Sequence, residues 1–437
     1  MRGLTTTILL LVVLAGLGGY IFFYEAGREP EDPNAKPRAF DKLASENIEE
    51  IQIKNAEGQT SRVQLENGNW QLVEPVKADA DDGVVGTVTS NLSTLEVQRV
   101  VEETPSDLKQ YGLEPPRVDV GFRFRGQKDV QHLLVGDKTA TGGDVYAKRL
   151  NEPRVFLISA FLESIFNKAP FDLRDKVILK FERDKVDGVE VAEGTTTIQF
   201  SRSGSEWRIA KPISARADYA AAEGLLTRLS STHMLEVIEE SAADLRKYGL
   251  DRPQMSATVM SGSTRATLLV GGKADDGGFF ARDAARPTVF TVEEALGTDL
   301  GKDLADYRRK DLFDARSFSA NRLELRRGSD TITVEKSEEG GKTVWKRGSQ
   351  AVDTAKVEDV LMQFSNLQAQ TFQPTAHASL KSPVLTATVR FDENKTETVN
   401  FGRSGNEVYA NRADEPGSTR VDTSVFDEAM KVVDAMK

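Results

Sequence analysis

The chain runs to 437 residues, sets 57 Lys and Arg against 68 Asp and Glu for a net charge of −11, and contains no cysteine. That much chain exceeds one ordinary hydrophobic core and points to several domains. The acidic balance argues against a nucleic-acid partner, which needs clustered cations, and the lack of cysteine removes disulfides, thiolate zinc sites and cysteine nucleophiles.

The first predicted element is apolar. LTTTILLLVVLAGLGGYIFFY, residues 4–24, carries no charged side chain. As a helix rising about 1.5 Å per residue it reaches roughly 30 Å, the thickness of a bilayer's hydrocarbon core. A cleaved signal peptide is the competing reading. However, apolar residues continue through Tyr20, Ile21, Phe22 and Phe23, past the small GLGG where cleavage would fall, and Tyr20 and Tyr24 suit the membrane interface. The expectation is an uncleaved signal anchor over 1–24, its short tail inside and the remainder outside. A Pro-rich, charged stalk follows over 25–39.

Beyond the stalk the chain repeats itself. Trp70, Pro75, Asp81, Leu92, Tyr111 and Pro116 recur 137 positions later as Trp207, Pro212, Asp218, Leu229, Tyr248 and Pro253. LLVG at 133–136 returns at 268–271, and YAKR at 146–149 returns as FARD at 280–283. A fainter third copy keeps Trp345, Asp353, Leu380, Pro383, FG at 401–402 and YANR at 409–412. Three units follow, 40–180, 181–315 and a divergent 316–437.

Each unit reads as a meander, a helix, more strands and a closing helix. IEEIQIK (48–54) and SRVQLE (61–66) alternate in hydropathy, with turn residues between them and before the strand of Trp70. LELRR (323–327), TITVEK (331–336) and TVWKR (343–347) repeat that meander. Val84, Val85, Val88, Leu92 and Leu95 form one amphipathic stripe, and Val357, Val360, Leu361, Phe364 and Leu367 another. RVDVGFRF (117–124), HLLVG (132–136), DVYAKR (144–149) and RVFLIS (154–159) then read as strands, and SVFDEAMKVVDAM (424–436) as a final helix. The fold class is α+β, three related antiparallel sheets with packed helices behind a transmembrane helix.

The most conspicuous repeat, DLKQYGLEPP against DLRKYGLDRP, reads as punctuation. A short helix ending at Tyr111 puts Gly112 where a left-handed residue is needed, with Leu113 turned back on Leu108 in a Schellman stop. Tyr248, Gly249 and Leu250 take the same roles beside Leu245. The third copy, TAHASLKSP (375–383), has Ser379 instead of glycine, so its stop should differ.

No chemistry emerges from the remaining motifs. DADDG at 79–83 opens like a calcium loop but has Gly83 at position 5 and Ser90 at position 12. Asp81, Asp218 and Asp353 each precede an amphipathic stripe and read instead as N-caps. Trp70, Trp207 and Trp345 read as core packing rather than a sugar-stacking row. His132, His233 and His377 are scattered, without metal-ligand or triad spacing. The glycines of TATGGD (139–144) and GGKADDGG (271–278) read as hairpin loops, not phosphate cradles. YRRKD (307–311) and LRDK (173–176) read as solvated connectors. No catalytic, cofactor or metal site is assigned.

These repeated Trp, P…AD, L..YGL..P, L.VG and YA.R elements behind one amino-terminal span resemble the bacterial family of the domain of unknown function 4340. The resemblance covers nearly the whole chain after the stalk and is weakest in the third unit. It implies a single-pass inner-membrane protein with its carboxy-terminal portion in the periplasm. It also implies a partner class, the permease or auxiliary subunit of an ABC transporter of the gliding-motility type. The expected function is therefore non-enzymatic binding or scaffolding. An envelope carbohydrate-binding or carbohydrate-active hydrolase is the alternative, because an acidic chain offers many paired carboxylates.

Overall fold

The computed structural model describes residues 14, 17–20, 36–40, 43–275 and 277–436. Apart from Leu14 and residues 17–20, the expected span over 4–24 lies outside the described residues, as does most of the stalk. Among the described residues no helix is long and apolar enough to cross a membrane.

The chain divides into two compact units, Met1–Asp175 and Lys176–Lys437. In the first, nine strands build one sheet: β1 (Ile48–Lys54), β2 (Thr60–Glu66), β3 (Asn69–Glu74), β4 (Ala78–Asp79), β5 (Arg99–Glu102), β6 (Val118–Phe124), β7 (Gln131–Lys138), β8 (Asp144–Arg149) and β9 (Val155–Ser159). Their spatial order is β4-β3-β2-β1-β6-β7-β8-β9-β5.

The second unit repeats this order twice. Its first sheet holds β10 (Gly188–Glu193), β11 (Thr196–Ser203), β12 (Glu206–Lys211), β13 (Ala215–Arg216), β14 (Glu236–Glu239), β15 (Met255–Ser261), β16 (Thr264–Lys273), β17 (Phe279–Asp283) and β18 (Val289–Val292). Its other sheet holds β19 (Ala320–Arg327), β20 (Asp330–Glu339), β21 (Lys342–Arg347), β22 (Gln350–Val352), β23 (Ala369–Gln373), β24 (Leu385–Phe391), β25 (Lys395–Ser404), β26 (Glu407–Arg412) and β27 (Ser418–Val421). All ladders are antiparallel, so the class is α+β with three nine-stranded antiparallel sheets.

Between the fourth and fifth strand of each sheet lies a helix: α1 (Asp82–Ser93), α4 (Tyr219–Ser231) and α7 (Thr354–Ser365). Short helices follow the ninth strand: α2 (Phe161–Phe166) and α3 (Pro170–Leu173), α5 (Glu294–Leu300) and α6 (Leu304–Tyr307), and α8 (Thr423–Asp434). A helix of this length is marginal alone in water, so packing must hold it. On α7, Val357, Val360, Leu361 and Phe364 are buried, each contributing about 1.5–3 kcal/mol. They meet Phe313, Phe401 and Trp345 in one core, with Phe313 and Phe364 stacked at 5.1 Å. In the first unit Ile51, Ile53, Val63, Val85, Val88, Leu92 and Phe122 do the same. Asp81 accepts from Gly83 and Val84, Asp218 from Ala221 and Asp353 from Ala355, so all three helices are capped at their first turn.

Candidate functional site

The residues that stand apart from simple core packing lie where the two sheets of the second unit meet. The connector after α6 serves both sheets. Tyr307 O accepts from Asp218 N at 2.8 Å and Arg309 N donates to Arg216 O at 3.1 Å, extending the edge at β13. Three residues on, Lys310 O accepts from Ala369 N at 2.7 Å and Leu312 N donates to Leu367 O at 3.0 Å, joining the other sheet beside β23. Backbone pairing on both sides holds the segment between the sheets: Tyr307 and Arg308 are 1% and 6% exposed, Arg309 and Asp311 are half-buried, and Lys310 is exposed. The expectation of a solvated connector at 307–311 is corrected for Tyr307 and Arg308, while Lys310 keeps a solvated side chain. At 173–176, Leu173 and Arg174 are likewise buried.

Burying arginine demands counterions, and the third sheet supplies them. Glu415, in the β26–β27 loop, accepts from Arg216 Nε at 2.7 Å and from Arg308 Nη2 at 2.9 Å. Asp314 accepts from Arg216 Nη1 and pairs with Arg309 Nη1, each at 2.8 Å. Arg412 donates to Glu397 at 2.8 Å and to Asp414 at 3.0 and 3.2 Å. Glu397 also accepts from the backbone of Asp314 and Ala315, both at 2.8 Å. Burial pushes the Glu415 carboxyl upward, but Arg216 and Arg308 outweigh it and hold it below its ordinary range. Burial works against the Arg412 cation, and Asp414 and Glu397 reverse that and raise its pKa. The Arg308 guanidinium covers the Phe372 ring at 3.9 Å.

Above this ionic floor opens a cleft of about 350 Å³, with Arg208, Tyr219, Arg309 and Lys395 among its walls. Lys395 Nζ meets Glu206 at 3.3 Å across the two sheets. Arg208 on β12 stands directly opposite Arg216 on β13, and like charges so placed repel. Arg216 is satisfied by Glu415 and Asp314, whereas among the described residues the Arg208 side chain has no ion-pair or hydrogen-bond partner. Tyr219, the first residue of α4, is 57% exposed. The cleft thus offers an unpaired, half-buried cation and an aromatic face, an arrangement that can hold an anion.

The repeated markers fall elsewhere and serve the fold. Trp207 and Trp345 are 4% and 0% exposed, and Trp70 packs half-buried against its core. Gly112 and Gly249 adopt φ of 65° and 68°. Leu113 N donates to Leu108 O at 3.1 Å and Leu250 N to Leu245 O at 3.0 Å, the long bond of a Schellman stop, though the helix it closes is one 3₁₀ turn. That stop docks on the seventh strand of its sheet. A Cβ added to Gly136 or Gly271 would sit 2.1 Å from the carbonyl oxygen of Tyr111 or Tyr248. YGL and the VG motif are therefore two halves of one contact, and Gly271 belongs to β16 rather than to a loop. In the third sheet Ser382 ends the turn at φ −135°, and His377 stacks on Tyr409 at 3.7 Å, where Tyr111 meets Tyr146 and Tyr248 meets Phe280.

Of the other histidines, His132 bonds Asp119 at 2.7 Å and His233 bridges to Val177. Among the described residues no group of three or more His, Cys, Asp or Glu is placed to hold a metal ion. Arg208, Arg216 and Glu415 are defining residues of none of the motifs that stand out in the sequence. One signal was available: Asp79 in the first copy of the P…AD element becomes Arg216 in the second, a reversal of charge within a repeat.

The geometry defines a tandem-repeat α+β protein with a polar cleft at one junction. The profile of the family described as a domain of unknown function (DUF4340) matches residues 70–233 and 207–384, and the chain belongs to that family. The two matches start on Trp70 and Trp207, the same point of successive repeats. No curated protein matches the chain.

Proposed function

We propose that this protein is a non-enzymatic binding and scaffold protein of the bacterial envelope. In this reading a signal anchor over 1–24 holds it in the inner membrane, its sheets stand in the periplasm, and it is an accessory of an ABC transporter complex of the gliding-motility type. The observation that carries the scaffold role is the buried ionic junction around Glu415, which fastens two copies of one sheet to each other. Repetition multiplies contact surface, and a tether raises the effective concentration of that surface beside a membrane partner. The transporter as partner rests on the family resemblance, and the anchor on the uncharged apolar stretch.

Crosslinking of the full-length protein in its membrane, followed by affinity purification and mass spectrometry, tests the role. Recovery of a permease or auxiliary subunit is expected. A protein that yields no crosslinked partner overturns it. Proteolysis of spheroplasts tests the topology, where full protection of the sheets would refute the periplasmic placement.

A further inference from the structure

We propose that the cleft over the junction binds an acidic sugar, with Arg208 receiving its carboxylate and Tyr219 its ring face. The inference rests on the binding role proposed above and adds the ligand class. The first argument is internal to the repeat. In the first sheet the position of Arg208 is Gln71, which stands opposite Asp79 and donates to it at 3.0 Å. In the third it is Lys346, opposite Ala351 and paired with Glu339. Two copies thus satisfy this position from within their own sheet, and the middle copy instead sets arginine against arginine. Arg216 is occupied by Glu415, Asp314 and the carbonyl of Asp311. The charge left over is that of Arg208, half-buried on the cleft wall.

The second argument concerns what surrounds that charge. A guanidinium offers a planar fork that matches a carboxylate with two parallel hydrogen bonds. Tyr219, exposed on the same cleft, provides an apolar ring face with a polar tip. Glu206, Asp392 and Asp414 line the cleft as exposed carboxylates, which accept hydrogen bonds and suit the hydroxyls of a sugar. Lys395 is paired with Glu206 and Arg412 with Asp414 and Glu397, so the cleft presents a single guanidinium fork, which a singly charged carboxylate matches more closely than a phosphate dianion. The volume, about 350 Å³, lies in the range of small-molecule sites.

Calorimetric titration of the full-length protein in detergent with D-galacturonate, D-galactose and D-glucose 1-phosphate tests the assignment. Galacturonate should bind at least about tenfold more tightly than galactose. Arg208→Gln should erase that preference, and Tyr219→Ala should weaken both sugars. Because Arg208→Gln relieves a like-charge pair, it should melt no lower than the parent, so a lost preference is not a lost fold. Equal affinity for the acid and neutral sugars, no binding of either, an Arg208→Gln variant that keeps the preference, or glucose 1-phosphate matching galacturonate would each overturn the acidic-sugar site. Those results leave partner recovery by crosslinking untouched, so the two readings fail separately.

Discussion

Glu415 and Arg216 lie 199 positions apart in sequence, yet one carboxylate oxygen of Glu415 accepts both the side-chain Nε of Arg216, at 2.7 Å, and its backbone N, at 3.1 Å. Its other oxygen receives Arg308 at 2.9 Å. One carboxylate from the β26–β27 loop therefore serves two arginines buried against the second sheet, and Asp314 supplies a further counter-charge to Arg216. Such a pair gains little over a well-packed apolar contact, but losing one partner strands the other charge. Glu415→Ala should lower stability by about 3 kcal/mol, the lower end of that penalty because Asp314 still serves Arg216. Urea denaturation of the full chain checks this, and a loss near zero would mean the junction contributes no cohesion.

Gly136 and Gly271 have no room for a methyl group, because the Tyr111 and Tyr248 carbonyl oxygens would lie 2.1 Å from it. Backbone cannot swing aside as a flexible side chain can. Gly136→Ala and Gly271→Ala should each cost about 1–3 kcal/mol, the range for overpacking. Gly86→Ala on α1, where nothing lies within 4 Å of the new atom, should instead stabilise the helix by up to about 1 kcal/mol. Thermal melts of the three variants decide it, and equal shifts would refute the docking contact.

The contrast between these two features explains what could be read in advance. The YGL stop is local: glycine geometry and the Leu108–Leu113 contact sit within a few residues, so its repetition was visible in the sequence. Helices α1 and α7 were legible because their buried side chains recur at helical spacing, and β1 and β2 because theirs alternate. The docking of Tyr111 on Gly136 was not legible, since each residue looks ordinary until strands bring them together. The return of β9 to pair with β5 was equally hidden, β5 being a half-buried four-residue edge with no alternation. At the junction, charge in YRRKD reads as solvation unless a counterion from a distant loop is known.

Trp207 and Trp345 occupy matching positions and differ in one hydrogen bond. Trp207 Nε1 donates to Glu223 at 2.9 Å, while Trp345 Nε1 is buried without a partner among the described residues. Both rings carry a cation at similar range, Arg202 at 5.6 Å and Lys336 at 5.5 Å, so that contribution is matched. Trp207→Phe loses a satisfied donor and leaves Glu223 one bond short, whereas Trp345→Phe removes a donor that had none. Trp207→Phe should therefore cost about 1 kcal/mol more than Trp345→Phe. Truncation of Trp345 to alanine should cost about 3–5 kcal/mol, since its side chain is wholly enclosed. Denaturant midpoints of the three variants test the ranking, and a larger loss for Trp345→Phe would reverse the argument.

His132 gives the fold a dependence on pH that its neighbours allow to be signed. The hydrogen bond that His132 Nδ1 donates to Asp119 raises its pKa, burial opposes that, and the nearby carboxylate charge adds to the rise. Gln52, Lys54, Arg62, Glu74 and Asp119 share the hollow that His132 lines on the first sheet, where Arg62 is paired with Glu74 at 2.6 Å. In the unfolded chain the imidazole titrates near about 6.5. A folded pKa above that value means the pair's stabilisation is fully present below the unfolded pKa and is lost as pH rises through the folded one. Stability of the parent relative to His132→Gln should thus be greatest at about pH 5.5 and shrink as pH rises through the folded pKa. Asp119→Asn should flatten the same difference, because the neutral amide no longer favours the cation. Urea midpoints of parent and variants across that range test it, and a parent advantage that grew with pH would show that His132 folds as the neutral form.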